Sequence, residues 1–341
     1  MMRSGKEIEK LFEAFNNLNV LVAGDVMIDA YLWGKVERIS PEAPVPIVSV
    51  NRRENLLGGA ANVALNLKAL GANPILCSVI GNDARGDEFM QLLAKEGLDI
   101  SGICRSDARI TTTKFRIIGN NAQMLRVDEE IDTEINPADT TKLLEVITRI
   151  IEQPCPGTAV IILQDYNKGV LTPQSISRII EIAHKKNIPV AADPKKANFE
   201  IYRGISLFKP NLKELREGLR MDIEPGNTSQ LLLAINQLHE HQSIETVLTT
   251  LSESGVLISR HKDGQPREVV NLPAHLRSIA DVSGAGDTVI SVASLCLALG
   301  TSLHELAAIA NLAGGLVCEH IGVVPVNKEK LLAETLALAN R

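Results

Sequence analysis

The sequence predicts a doubly wound α/β fold built on a mostly parallel sheet, and three observations carry that expectation. Short runs that are apolar nearly throughout alternate with helical patterns along most of the chain. Two strand-like segments without an intervening helix stand apart from this alternation. A glycine-rich string, "DVSGAGDTVI" at 281–290, leads into a long apolar run as a turn leads into a helix.

The strands are read in order as "NVLVAGD" (19–25), "NPILCSVIG" (73–81), "TAVIILQD" (158–165), "IPVAAD" (188–193), "ISLFKPN" (205–211) and "ETVLTTLS" (245–252). Between them, helical spacing marks 60–70, 86–96, 137–152, 173–186, 212–218 and 228–241. A strand that is apolar on both faces needs cover on both, so the sheet is expected between two helical layers. At the N-terminus Ile8, Leu11, Phe12, Phe15 and Leu18 share one helical face, interleaved with charges. They predict a short amphipathic helix and lack the continuous apolar core of a signal peptide.

The two segments outside the alternation are 30–56 and 108–130. "GNN" in the second is a hairpin turn, and Pro41, Pro44 and Pro46 confine the first to an edge strand or loop. Together they are expected to form a small β-sheet lid beside the main layers. Without a repeat or linker to divide it, the chain reads as one domain over 1–341.

Composition narrows the function classes. The 341 residues are 45% hydrophobic and 22% charged, enough for a large core. A net charge of −6 without a long basic run excludes a general affinity for nucleic acid. No apolar run reaches the roughly 18 residues that suggest a membrane span. Cys77, Cys104, Cys155, Cys296 and Cys318 contain no C-x-x-C pair, so neither zinc nor redox chemistry is indicated, and a reducing cytoplasm is the expected compartment.

The chemistry lies in "SGAGD". Its glycines present bare N–H groups at the start of a helix, expected over Val289–Leu299, and a helix N-terminus favours an anion such as phosphate. The G-x-x-x-x-G-K-[ST] and G-x-G-x-x-G signatures are absent, the latter replaced by "VAGDVMID" after the first strand. A carboxylate repels a phosphate, so Asp287 is placed instead to accept the proton of an attacking hydroxyl while the amides neutralise phosphoryl charge. By itself the string suits a plain helix cap equally well.

The chain resembles a family at this point. "DVSGAGDTVI" is similar to the C-terminal signature of the ribokinase-like (PfkB-type) carbohydrate kinases, and "GGAANVALNLKALG" (58–71) to their N-terminal signature. The resemblance runs from about residue 19 to about residue 330 in the same motif order. It implies a three-layer sandwich with the β lid, ATP and Mg2+ as cofactors, and a small sugar substrate. Within the family, "GDVMIDAYLWGKVERISPEAPVPIVSV", "TTTKFR", "LQDYNKGVLT", "DPKKANFEIYRG", "PNLKEL" and "TLSESGV" resemble kinases that phosphorylate O1 of D-glycero-β-D-manno-heptose 7-phosphate, toward ADP-heptose and lipopolysaccharide.

Roles follow from that resemblance. Asp287 is the base, and Gly284, Ala285 and Gly286 form the anion hole. Asp29, expected on the turn after the first strand, grips sugar hydroxyls with Gly58, Gly59 and Asn62, and Asp165 lies at the same end. Asn211 and Glu214 match an N-x-x-E motif that places Mg2+ and the ATP phosphates, usually through water; a capping box suits the same spacing. Thr250, Ser252 and Gly255 match the nucleotide loop, and Asn311 lies on the helix that closes the adenine pocket. Many relatives bind a potassium ion near the position of Asp281 and Ser283. Arg38, Lys114, Arg116, Arg126, Lys168 and Lys195 are the cations available for the substrate phosphate.

The chain departs from the family's pattern twice. Lys196 in "DPKK" replaces a glycine common in close relatives, and "HIGVVPV" (320–326) lacks a Thr or Ser after its glycine. An H-x-G-H adenylyltransferase motif has no counterpart in these residues, so another protein is expected to supply that step. A homodimer through the lid strands is expected. Kinases of fructose phosphate, ribose or another polyol share both signatures and remain the alternative, with a non-catalytic sugar or nucleotide sensor as a third reading.

Overall fold

A computed structural model describes residues 2–153, 157–262, 264–275, 277–320 and 322–340. Cys155, and Ile321 within "HIGVVPV", fall outside them. The strands are β1 (Asn19–Gly24), β2 (Val26–Ile39), β3 (Pro46–Gly59), β4 (Asn73–Gly81), β5 (Ile103–Ser106), β6 (Thr113–Gly119), β7 (Ala122–Glu129), β8 (Thr158–Gln164), β9 (Val190–Asp193), β10 (Leu207–Phe208), β11 (Thr246–Thr250), β12 (Val256–Arg260) and β13 (Glu268–Leu272). The helices are α1 (Gly5–Ala14), α2 (Ala60–Ala69), α3 (Ala84–Lys95), α4 (Pro137–Ile151), α5 (Pro173–Lys185), α6 (Leu212–Leu219), α7 (Thr228–Gln242), α8 (Ala285–Ala298), α9 (Leu303–Val317) and α10 (Lys328–Ala339).

Nine strands form one sheet in the order β13-β12-β11-β10-β9-β8-β1-β4-β5, parallel from β11 to β5 and antiparallel at β12 and β13. Alternate residues of each strand enter opposite cores. Val20 and Val22 of β1, with Val160 and Ile162 of β8, pack under α2, α8 and α9. Leu21 and Ala23, with Ile161 and Leu163, pack under α4, α5 and α7. The period of two, buried on both sides, makes the sheet the middle of three layers.

The parallel strands all finish at one edge, and the chain reverses its direction of travel across the sheet between β1 and β8. A crevice at such a reversal, outside the carboxyl ends, is where open α/β sheets bind ligands. A second sheet, β3-β2-β6-β7, rises from the end of β1. Asn120 and Asn121 turn from β6 into β7 at φ 52° and 64°, the left-handed backbone a tight hairpin needs.

Two local expectations are corrected. The first irregular segment is more than the expected edge strand or loop. It holds two strands of 14 residues each, edge strand β3 and internal β2, because a ladder with register shifts after Trp33 and Val36 pairs Val26 with Gly59 and Ile39 with Pro46. The prolines fall in the connection and at the start of edge strand β3. The last helix of the phosphate turn starts at Ala285 rather than Val289, so Asp287 lies inside its first turn.

Candidate active site

The site grows from the C-terminal edge of the sheet. Gly284 holds a left-handed backbone, φ 79°, as the N-cap of α8; the first-turn amide of Ala285 donates to Val282 O at 3.3 Å, and that of Gly286 is left without an intrahelical partner. Asp287 follows in the same turn and is buried. Its Oδ2 accepts a 2.7 Å hydrogen bond from Asn62 Nδ2, and its Oδ1 accepts from Tyr166 Oη at 2.7 Å and Gln164 Nε2 at 3.1 Å. Burial pushes its pKa up to about 6; Asn62 and Tyr166 oppose the rise, Asp193 adds to it and Lys209 opposes it.

Lys209 and Asp193 form a buried ion pair at 3.0 Å, and Gln164 Nε2 also donates to Asp193 at 3.1 Å. A Cβ on Gly286 would lie 3.5 Å from Lys209 Nζ, so this ammonium stands beside the α8 N-terminus. The combination of the free Gly286 amide, a helix dipole and a buried cation suits a phosphoryl group.

The glycine pair is explained by what it touches. A Cβ on Gly58 would lie 2.3 Å from Asp29 Oδ2, and Gly59 adopts φ 63° with its Cβ position 2.4 Å from Asp25 O. Asp29 is not on a turn. It sits within β2, buried, because a new strand of the second sheet starts at Val26, one intervening residue after β1 ends, and Arg116 of β6 donates to its Oδ1. The Arg116 guanidinium also lies 5.3 Å over the Tyr31 ring.

The remaining cations are held by carboxylates. Glu130 accepts from Lys114 at 3.0 Å and Lys168 at 2.7 Å, tying β6 to the loop after β8. Burial alone would raise the Glu130 pKa, but the two lysines outweigh it and hold it below the usual value. Lys114 also reaches Asp128 at 2.9 Å, and Arg126, more exposed, pairs with Asp128 at 3.0 Å. Arg38 is exposed, nine residues along β2 from Asp29, about 30 Å at strand rise, and the structure does not bring it to the cluster.

Lys195 bonds Glu214 and lies 5.5 Å over the Tyr166 ring. Burial works against its charge, yet Asp193 and Glu214 prevail and keep its pKa raised. Asn211 and Glu214 form a reciprocal capping box on α6, each bond 2.9 Å. Thr250 bridges to Asn211, Ser252 is left-handed at φ 50°, and a Cβ on Gly255 would lie 2.1 Å from Leu272 O. Asn311 of α9 donates to Pro273 O at 2.9 Å.

Asp165, assigned to the sugar side, is held by protein donors. It is fully buried and accepts from Asn167 N at 2.8 Å, Asn198 Nδ2 at 3.0 Å and Tyr202 Oη at 2.9 Å. Asp281 likewise spends its oxygens on Ser283 N and Oγ and Gly322 N, at 2.8–3.0 Å. A monovalent ion there would have to rely on backbone carbonyls. Among the described residues no group of three His, Cys, Asp or Glu side chains could hold a metal.

A pfkB family carbohydrate kinase model matches residues 17–330. The chain belongs to that family. It is 39% identical over 96% of its length to the bifunctional protein HldE of Geotalea uraniireducens, and 39% over 92% to the HldE of Helicobacter pylori strain J99. It spans 65% of the length of each. Among solved structures it is similar to Escherichia coli phosphofructokinase-2 in complex with potassium, TM-score 0.75, 18% identical, covering 95% of this chain and 100% of that one. It is also similar to Arabidopsis thaliana ribokinase complexed with ribose and ATP, TM-score 0.71, 17% identical, covering 94% and 99%. The ribokinase-like fold is thereby established for this pfkB chain. No helix of the described residues is long and apolar enough to cross a membrane.

Sequence reasoning missed Asp25, Gln164, Tyr166, Asp193 and Lys209. Asp25 is buried and accepts from the backbone N–H groups of Tyr166, Lys168 and Val170 at 2.8–3.1 Å, fixing the loop after β8. Burial and nearby Asp165 push its pKa up to about 6. The available signal was position: each of the five lies at, or within two residues after, the end of an apolar strand.

Proposed function

We propose that this chain transfers the terminal phosphoryl group of ATP to O1 of D-glycero-β-D-manno-heptose 7-phosphate. The observation that carries the reading is Asp287, a buried base with a pKa near 6, in the same helical turn as the free amide of Gly286. Asp287 takes the proton of the O1 hydroxyl as that oxygen bonds to phosphorus, the bond from phosphorus to the ADP oxygen breaks, and ADP leaves. The Gly286 amide and Lys209 neutralise charge on the moving group. Mg2+, brought with ATP, offsets the remaining phosphate charge, and Glu214, Asn211, Thr250, Ser252, Gly255 and Asn311 form the nucleotide side.

Asp29, Gly58, Gly59 and Asn62 form the sugar side, with β2, β3, β6 and β7 as its lid. The 7-phosphate is read by Lys114, Arg116 and Lys168, whose carboxylate partners keep them in place until an anion displaces them. The same lid presents Leu125 at 56% exposure and Ile39 at 68%, which supports a homodimer formed through it. The heptose assignment rests on the sequence strings that resemble heptose 7-phosphate kinases, and adenylyl transfer falls to residues outside this sequence.

Catalytic efficiency on heptose 7-phosphate, sedoheptulose 7-phosphate, fructose 6-phosphate, fructose 1-phosphate, ribose and fructose tests it. Two or three charge-assisted contacts of about 1.5–3 kcal/mol each give roughly a hundredfold preference or more for heptose 7-phosphate over neutral sugars. Ribose or fructose matching the best sugar phosphate would remove the phosphate-reading role.

A further inference from the structure

We infer that Tyr166 is a positioning residue for Asp287, its phenol fixing the carboxylate so that one acceptor site stays open for the incoming sugar hydroxyl. The inference rests on the proposed role of Asp287 as base. A carboxylate offers about four acceptor sites, two on each oxygen. Tyr166 and Gln164 fill both on Oδ1, and Asn62 fills one on Oδ2. The fourth, on Oδ2, is left for substrate.

Tyr166 is the stronger anchor on Oδ1. Its bond is 2.7 Å and goes to Asp287 alone, whereas Gln164 Nε2 divides itself between Asp287 and Asp193 at 3.1 Å each. The ring is placed from several directions. Asp25 binds the backbone N–H groups on and after Tyr166, Asp165 binds Asn167 N, Asn167 turns the chain at φ 52°, and Lys195 lies over the ring. A phenylalanine would fill the same space without the donor. The charged groups facing Asp287 are Asp193 at the end of β9, Lys209 after β10 and Lys195, while Asp29 of β2 acts on the Tyr166 phenol. The phenol, like Asn62 and Gln164, is a neutral donor bonded to the carboxylate, so its removal changes the ionised form without changing net charge.

The test is the pH profile of kcat/KM for the sugar. In Tyr166→Phe the ionised carboxylate loses a donor, its proton affinity rises, and the acid limb moves up by about one to two pH units. Replacing Tyr166 with 3-fluorotyrosine, a stronger donor of similar shape, moves the limb the other way and serves where the phenylalanine variant fails to fold. An acid limb unmoved in both variants, with Asp287→Asn inactive, overturns the positioning role and leaves the base in place. Normal turnover in Asp287→Asn overturns the base itself. A merely structural tyrosine would lower activity at every pH without moving the limb.

Discussion

Replacing Asp287 with asparagine separates activity from stability. Turnover should fall by roughly two to four orders of magnitude, the span of a general base. Stability should respond in the opposite sense at neutral pH. The folded protein raises this carboxyl from 3.8 to about 6 because burial penalises its charge. A group whose folded pKa is raised adds its stabilisation below the unfolded value and loses it as pH climbs through the folded one. At about 1.36 kcal/mol per unit, wild type should lose about 2–3 kcal/mol relative to the variant between about pH 4 and pH 7.5. The asparagine Nδ2 must face either Asn62 or the Tyr166 and Gln164 donors, a conflict that is the same at every pH and cancels in this difference. Urea unfolding of both proteins at the two pH values measures it, with a coupled ADP assay for turnover. A wild-type-minus-variant difference that does not change with pH would refute the buried, strained carboxylate, and near-normal turnover would refute the base.

Gly58→Ala drives a Cβ into Asp29 Oδ2 and to 2.9 Å from Met27 Cγ, so the carboxylate must leave Arg116. The sugar KM should rise by about tenfold or more with the ATP KM unchanged, and equal change in both would show a general packing defect. Light scattering should report a dimer that charged substitutions at Leu125 and Ile39 dissociate; a wild-type monomer would remove the lid interface.

The layered architecture was legible because its signals are local. Strands such as "TAVIILQ", apolar on both faces and separated by helical spacing, admit a covered parallel sheet, and "GNN" between two strand-like runs admits little but a hairpin. "SGAGD" announced a turn into a helix because glycine and a helix start are neighbours in sequence, and "NLKE" fitted a capping box for the same reason. The antiparallel edge, β12 and β13, and the length of β2 were not legible. Their pairing with β11 and β3 depends on partners that a single segment does not display.

The surroundings of Asp287 were decided by tertiary structure alone. Tyr166 is 121 residues from it in sequence, Gln164 123 and Asn62 225, and each looks like an ordinary polar residue in its own segment. They meet because the parallel strands end at one edge and the chain reverses beside β1. The same geometry gave Lys114 and Lys168 a shared carboxylate and left Arg38 at the far end of β2, a distinction that charge by itself does not carry. Sequence therefore determined the layers and the glycine turn into α8, which follow from contacts between near neighbours. The partners of the Asp287 carboxylate and the pairing of the cations follow from where strand ends converge, which only the folded sheet sets.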